Sequence, residues 1–272
     1  MQIDFIAEIG WNFMGDMDLA ERMISAAKEA NATIAKFQYW NPEKLREGPW
    51  DSDGRREIYN KAKLNKEKID QLASICREKE VDFLVSAFNK DDALFLKGFS
   101  EDAIKIPSHE VANTELISFS LENFEKVYLS LGACSHEELL DCSKIVKQIR
   151  PNDNNVVLMH CVSSYPCEID RINLKRIDYL GEIFNGRLGL SDHTSSTLVP
   201  ALSVIKGVEV IEKHFTVDHS LPGRDNKFAM LPEDFKEMVN LANQASQTII
   251  DRGINAQESE MDTIKNYRGR WG

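Results

Sequence analysis

The chain has 272 residues, 42% of them hydrophobic and 28% charged, a size and balance that suit one large α/β domain better than two unrelated ones. Its 33 basic against 44 acidic residues leave a net charge of −11, and a surface so acidic excludes nucleic acid and anionic lipid, both of which need basic stripes. No apolar run approaches the roughly eighteen residues of a membrane span, and no basic signal-peptide region precedes the apolar residues 5–9, so a cytoplasmic protein without membrane contact is expected.

Short β-rich runs alternate with helical patterns along the whole chain. They lie at 4–9, 33–38, 82–87, 103–106, 126–130, 155–160, 187–190 and 208–212. Several are unbroken apolar stretches, as parallel strands buried on both faces require. After the first run, Asp16 can cap a helix that puts Leu19, Met23, Ile24, Ala27 and Ala30 on one face. Residues 46–63 are polar and punctuated by Gly and Pro, which predicts a loop over the barrel mouth. Ser135 and Glu138 form a capping box ahead of Leu139, Ile145 and Ile149. Pro232 suits a first helical position before the stripe Phe235, Met238, Val239 and Ala242, with Gly253 expected to end that helix. Eight βα units without a break in composition predict a single α/β domain, a closed (β/α)8 TIM barrel over 1–256, followed by a charged tail over 257–272. The cysteines Cys76, Cys134, Cys142, Cys161 and Cys167 are odd in number and lack CxxC spacing, which argues for reduced thiols.

In such a barrel the chemistry belongs at the C-terminal ends of the strands, and the unusual polar residues gather there. Glu8 and Asn12 follow the first strand, Lys36 and Gln38 the second, and Lys105, Ser108, His109 and Glu110 the fourth. Ser130 closes the fifth, and His160, Ser163 and Tyr165 the sixth. Ser191, Asp192 and His193 close the seventh, and Glu212, Lys213 and His214 the eighth. His193 and His214 fall on adjacent strand ends, so their imidazoles could meet around one divalent ion; otherwise they are ordinary histidines in polar loops. Imidazole with carboxylate or water suits Mn2+, Mg2+, Fe2+ or Zn2+. Lys36 and Lys105 point toward the axis, where a lysine is costly unless paired. Each therefore meets Glu8, Glu110 or Glu212, or waits for an anion. With Ser108, Ser130 and Ser191 they compose a phosphate and carboxylate cradle, against which stands a purely structural Lys–Glu network. Glu110 is a candidate general acid or base, because burial raises a carboxyl pKa toward neutrality. Trp11, Phe13, Tyr39 and Trp40 are either a pocket wall or packing.

These residues stand in segments that resemble the sialic acid (N-acetylneuraminate) synthase family in order and spacing. The segments are Ile6-Ala-Glu-Ile-Gly10 with Asn12, Lys36-Phe-Gln38, Lys105-Ile-Pro-Ser108 with Glu110, Leu190-Ser-Asp-His-Thr194, Ile211-Glu-Lys-His-Phe-Thr216 and Leu221-Pro-Gly-Arg-Asp225. The resemblance covers nearly the whole chain and implies condensation of phosphoenolpyruvate with an open-chain amino-sugar aldose, giving a nonulosonic acid and phosphate. It implies that His193 and His214 hold the divalent metal, Mn2+ or Mg2+, as a Lewis acid. It assigns Lys36, Lys105, Ser108, Ser130 and Ser191 to phosphoenolpyruvate, and Gln38, Ser163, Tyr165 and Asp225 to the substrate pocket. Glu110 would be the proton shuttle, while Glu8 and Glu212 orient the metal, its water or the sugar hydroxyls. Phe13 and Met14 replace a polar pair of the family, His109 a common glycine, and Ser163 a usual asparagine. The chain ends about where the family's linker to a C-terminal antifreeze-like domain begins, and a homodimer is expected by the same analogy. The residues also admit a metal-dependent barrel aldolase with another donor, or a barrel that binds its ligand without turnover.

Overall fold

The computed structural model describes residues 2–99 and 102–271; the first residue of the expected barrel and the last of the expected tail lie outside them. Eight strands close into one parallel barrel in sequence order: β1 (Asp4–Gly10), β2 (Ile34–Gln38), β3 (Asp82–Ser86), β4 (Ala103–Ile106), β5 (Lys126–Ser130), β6 (Val156–Cys161), β7 (Arg187–Asp192) and β8 (Val208–His214). Each lies within two residues of the expected run at either end, and the (β/α)8 architecture is the one the alternation demands. The helices are α1 (Met17–Glu29), α2 (Arg55–Ala62), α3 (Lys66–Glu78), α4 (Lys90–Lys97), α5 (Thr114–Asn123), α6 (His136–Ile149), α7 (Lys175–Ile183), α8 (Leu198–Ile205), α9 (Pro232–Thr248) and α10 (Met261–Asn266).

Local signals act as they should. Asp16 accepts the Leu19 N–H at 3.0 Å to start α1, Ser135 and Glu138 close their capping box on α6, and Pro232 opens α9. Two expectations change. The helix before Gly253 stops at Thr248, ahead of the glycine. Residues 46–63 are not an open loop: Gly54, at φ 86°, turns the chain into α2, which buries Tyr59 and Ala62. The tail forms α10 and is exposed along nearly its whole length.

Strand parity separates two cores. Outward side chains such as Phe5, Ala7, Ile9, Phe37 and Leu190 join the helices in the main apolar layer. Inward ones, Ile6, Ile34, Leu84, Tyr128, Val157, Met159 and Val210, plug the barrel axis with Ala103 against them. Gly189 is the inward residue of β7, and a Cβ there would stand 2.7 Å from Met159 Cγ and 3.2 Å from the Val210 carbonyl. Gly189→Ala is therefore expected to destabilise by about 1–3 kcal/mol, read by chemical denaturation. Pairing it with Met159→Ala should recover part of that loss.

Candidate active site

Two residues beyond the axial plug, every strand turns polar or small. The inward positions become Glu8, Lys36, Ser86, Lys105, Ser130, Cys161, Ser191 and Glu212, and all eight line one cavity of about 260 Å3 at the C-terminal mouth. A period of two places them there: each is the next same-face residue above a plug residue.

The floor is a shared ion network. Lys36 Nζ lies 2.7 Å from Glu8 Oε2 and 3.6 Å from Glu212 Oε1, while Lys105 Nζ lies 2.6 Å from Glu212 Oε2. Ser191 Oγ donates to Glu212 Oε1 at 3.1 Å. Burial opposes charge on Glu212, but Lys105 and Lys36 outweigh it and hold the carboxyl down to about 2. Glu8 goes the other way, because burial and then the Glu212 charge raise it despite Lys36. Lys105 is lowered by burial against the pull of Glu212. The floor thus sets two lysines around one carboxyl held low and a second whose pKa burial raises, which suits it to a small anion. Ser130 Oγ is buried without a hydrogen-bond partner, and Ser108 Oγ accepts the Gly132 N–H at 3.0 Å.

Beside the floor stand the two imidazoles, with ring centroids 5.3 Å apart. His193 Nδ1 meets the Val162 carbonyl at 2.8 Å, so the neutral ring donates there and keeps its Nε2 lone pair. Burial opposes charge on His193, but the Cys161 sulfur and the Val162 carbonyl outweigh it and raise its pKa. His214 is lowered to about 4, mainly by burial and against the pull of Asp225, whose Oδ2 is 3.7 Å from its Nδ1. That Nδ1 is buried without a hydrogen-bond partner. Among the described residues no group of three His, Cys, Asp or Glu side chains converges as a metal site. Two imidazole nitrogens with water or substrate oxygens are a donor set chemically compatible with a divalent ion.

One half of the mouth is aromatic. Trp11 stacks on Tyr59 with centroids 4.6 Å apart, Tyr59 on Trp40 at 5.1 Å, and Trp40 meets Phe88 at 4.1 Å. Trp11 Nε1 donates to Asp225 Oδ2 at 2.8 Å, and Trp40 Nε1 to Gln38 Oε1 at 2.8 Å. Gln38 in turn donates to Glu8, which ties the wall to the floor.

Lys36, Gln38, Lys105, Ser108, Ser130, Tyr165, Ser191 and Asp225 thus share the cavity with Glu8, Glu212, His193 and His214. Glu110 does not line it: its carboxyl accepts from Asn113 at 3.1 Å and faces a neighbouring cleft under residues 41–50. The short turn Ser108–Glu110 rotates it away from the axis, although burial does raise its pKa. Ser163 also stays off the cavity wall, exposed and 3.9 Å from Cys161 Sγ. His160 points outward, bonded to the Ile172 carbonyl at 2.6 Å, and Asp192 pairs with Lys213 at 2.9 Å outside the barrel bore. Sequence reasoning missed Cys161, Ser86, Arg55 and Arg224 on the wall. Parity counted from Val157 identifies Cys161 and parity from Leu84 identifies Ser86, whereas no periodic signal marks the two arginines.

Acid sensitivity follows from His214. The unfolded imidazole protonates near 6.5 and the folded one near 4, so between these values the unfolded chain binds the extra proton. Stability from this group is full above 6.5 and is lost as pH falls toward 4, by on the order of 3 kcal/mol. Calorimetric melting of the metal-free protein should show this slope, and His214→Gln should flatten it.

Residues 23–253 match the NeuB family. The chain is 33% identical to the pseudaminic acid synthase of Campylobacter jejuni, over 94% of this chain and 78% of that one. It is 32% identical to the N,N'-diacetyllegionaminic acid synthase of Legionella pneumophila, over 91% and 73% respectively. The N-acetylneuraminic acid synthetase of Leptospira borgpetersenii, solved in complex with citrate, superposes with a TM-score of 0.88 at 30% identity, covering 97% of this chain and 90% of that one. A family match over most of the chain, relatives of this identity and the same barrel lead to one conclusion: this chain belongs to the NeuB family of sialic-type acid synthases.

Proposed function

We propose that the barrel condenses phosphoenolpyruvate with an open-chain N-acetylmannosamine-like aldose, giving a nonulosonic acid and phosphate. The observation that carries this reading is the buried Lys36–Glu212–Lys105 floor beside two imidazoles, an anion cradle next to nitrogen donors. Aldol-type addition of an enol phosphate to an aldehyde needs that pairing.

Lys36 and Lys105 would bind the phosphate and carboxylate of phosphoenolpyruvate, with the unpartnered Ser130 hydroxyl and Ser108 and Ser191 completing the cradle. C3 of the enol attacks the aldehyde carbon, water adds at C2, and breaking the bond from C2 to the phosphate oxygen releases phosphate. A divalent ion, Mn2+ or Mg2+, held by His193 and His214 would supply Lewis acidity toward the aldehyde oxygen. Glu212 stays ionised and keeps both ammonium groups in place. Glu8 has the raised pKa that holding and returning a proton requires, and it faces the floor. Glu110, which the resemblance makes the proton shuttle, also has a pKa raised by burial and lines a cleft that shares Trp40, Tyr59 and His109 with the mouth. Gln38, Tyr165 and Asp225 border the space left for the sugar. A cytoplasmic homodimer is the expected setting, and light scattering tests its stoichiometry.

Phosphate release should require phosphoenolpyruvate, a divalent ion and an N-acylated aldose together. Release that proceeds without sugar, or none across a sugar panel, would reject the reading. Lys105→Ala should weaken phosphoenolpyruvate binding roughly a hundredfold with little change for the sugar, measured by calorimetric titration. His214→Ala should lose stoichiometric Mn2+ while keeping its circular dichroism spectrum.

A further inference from the structure

We propose that Lys213 and Asp192, an ion pair on the outer face of the barrel, are positioning residues that hold His193 and His214 in one fixed arrangement at the cavity. The inference rests on the reading of these two imidazoles as metal donors and concerns what keeps them in place.

Asp192 immediately precedes His193, Lys213 immediately precedes His214, and the two are register partners on β7 and β8. One residue out of phase with the cavity, both side chains fall on the outer face. There the Lys213 ammonium meets Asp192 Oδ2 at 2.9 Å and also donates to the Thr194 carbonyl. Asp192 closes the ring: its Oδ1 accepts the Thr194 N–H at 2.9 Å and its Oδ2 the Thr194 hydroxyl at 3.0 Å. A single ammonium, from the residue before His214, therefore grips both chain neighbours of His193. All three residues are buried, so water does not compete for these bonds.

The end of β7 needs that grip. Its ladder with β6 stops at the Cys161–Ser191 pair, whereas its ladder with β8 runs on to Asp192–Lys213. Past Ser191 the strand is paired on one side, and the Cys167 N–H, donating to the His193 carbonyl at 2.8 Å, is its tie on the other. His214 has a second support, since β1 pairs Glu8 with it. Leu190 and Ile211, the outward neighbours below the ion pair, are buried and apolar, so an apolar pair would fill this layer at a lower desolvation cost. What the ion pair adds is direction, because charge-assisted hydrogen bonds fix distance and angle where packing alone does not. Such support behind an imidazole donor is worth roughly 10–100-fold in metal affinity.

The test reads the imidazole as well as the metal. Lys213→Met removes the grip while nearly keeping the side-chain volume. Lys213→Met combined with Asp192→Asn buries no unpaired charge, and serves where the single variant fails to fold. In the metal-free wild type at alkaline pH, long-range proton–nitrogen spectra should show His193 in the single Nδ1–H tautomer that the Val162 carbonyl selects. Both variants should show tautomer averaging. Calorimetric titration should find their Mn2+ binding weakened roughly tenfold to a hundredfold, with phosphoenolpyruvate binding to the metal-free protein unchanged. Lys213→Arg should restore the tautomer and the Mn2+ affinity. A fixed Nδ1–H tautomer or wild-type Mn2+ affinity in a folded variant overturns the proposal. Equal losses of Mn2+ and phosphoenolpyruvate binding overturn it too, by making the pair a general support of the strands. A wild type that binds no Mn2+ would remove the metal reading instead, and the His193 tautomer would still decide whether the pair positions the ring.

Discussion

The constraint on which this structure depends is the two-residue period of a strand inside a closed barrel. Each strand must put every second side chain into the bore, and the bore has room for only a few layers. At the lower layer Ile6, Ile34, Leu84, Tyr128, Val157, Met159 and Val210 exclude water. One step up, the same geometry delivers Glu8, Lys36, Lys105, Ser130, Ser191 and Glu212 into a single small space. Stability and chemistry are thus consecutive positions on the same strands. The plug beneath makes the polar layer dry enough for its charges to matter.

That dryness sets the electrostatics. Two buried ammonium groups would be intolerable alone, and two buried carboxylates equally so. Interleaved, they divide into unequal roles, with Glu212 between both lysines and held low, and Glu8 beside one lysine with its pKa raised by burial. The asymmetry comes from placement, since the two carboxyls are chemically alike. A second buried pair, Lys213 with Asp192, lies on the other face of adjacent strands and does not enter the bore. Parity alone decides which lysine of this protein is structural and which faces the cavity.

Much of this was legible in the amino-acid order because strand runs and the residues closing them are local. The eight runs, the capped helices and the floor residues all follow from spacing. What escaped is non-local or backbone-dependent. Glu110 was expected among the floor residues, but it follows β4 on a short turn and lines the adjoining cleft. His160 and Ser163 attracted notice by type, while Cys161 between them holds the inward position. The segment 46–63 read as a loop because α2 buries only two of its side chains, too few for a periodic signal. The meeting of Trp11, Tyr59 and Trp40 from three separated segments could not be read from any one of them.

The bond from Trp40 to Gln38, and from Gln38 to Glu8, runs between two parts with different origins. The floor is written into barrel strands, where any change disturbs the plug beneath it. Much of the wall is written into strand-end loops and the α2 insertion, which can vary while the axial plug stays intact. A barrel arranged this way can keep one reaction and exchange its acceptor over evolutionary time. Gln38 is the position at which such drift would first be felt by the chemistry.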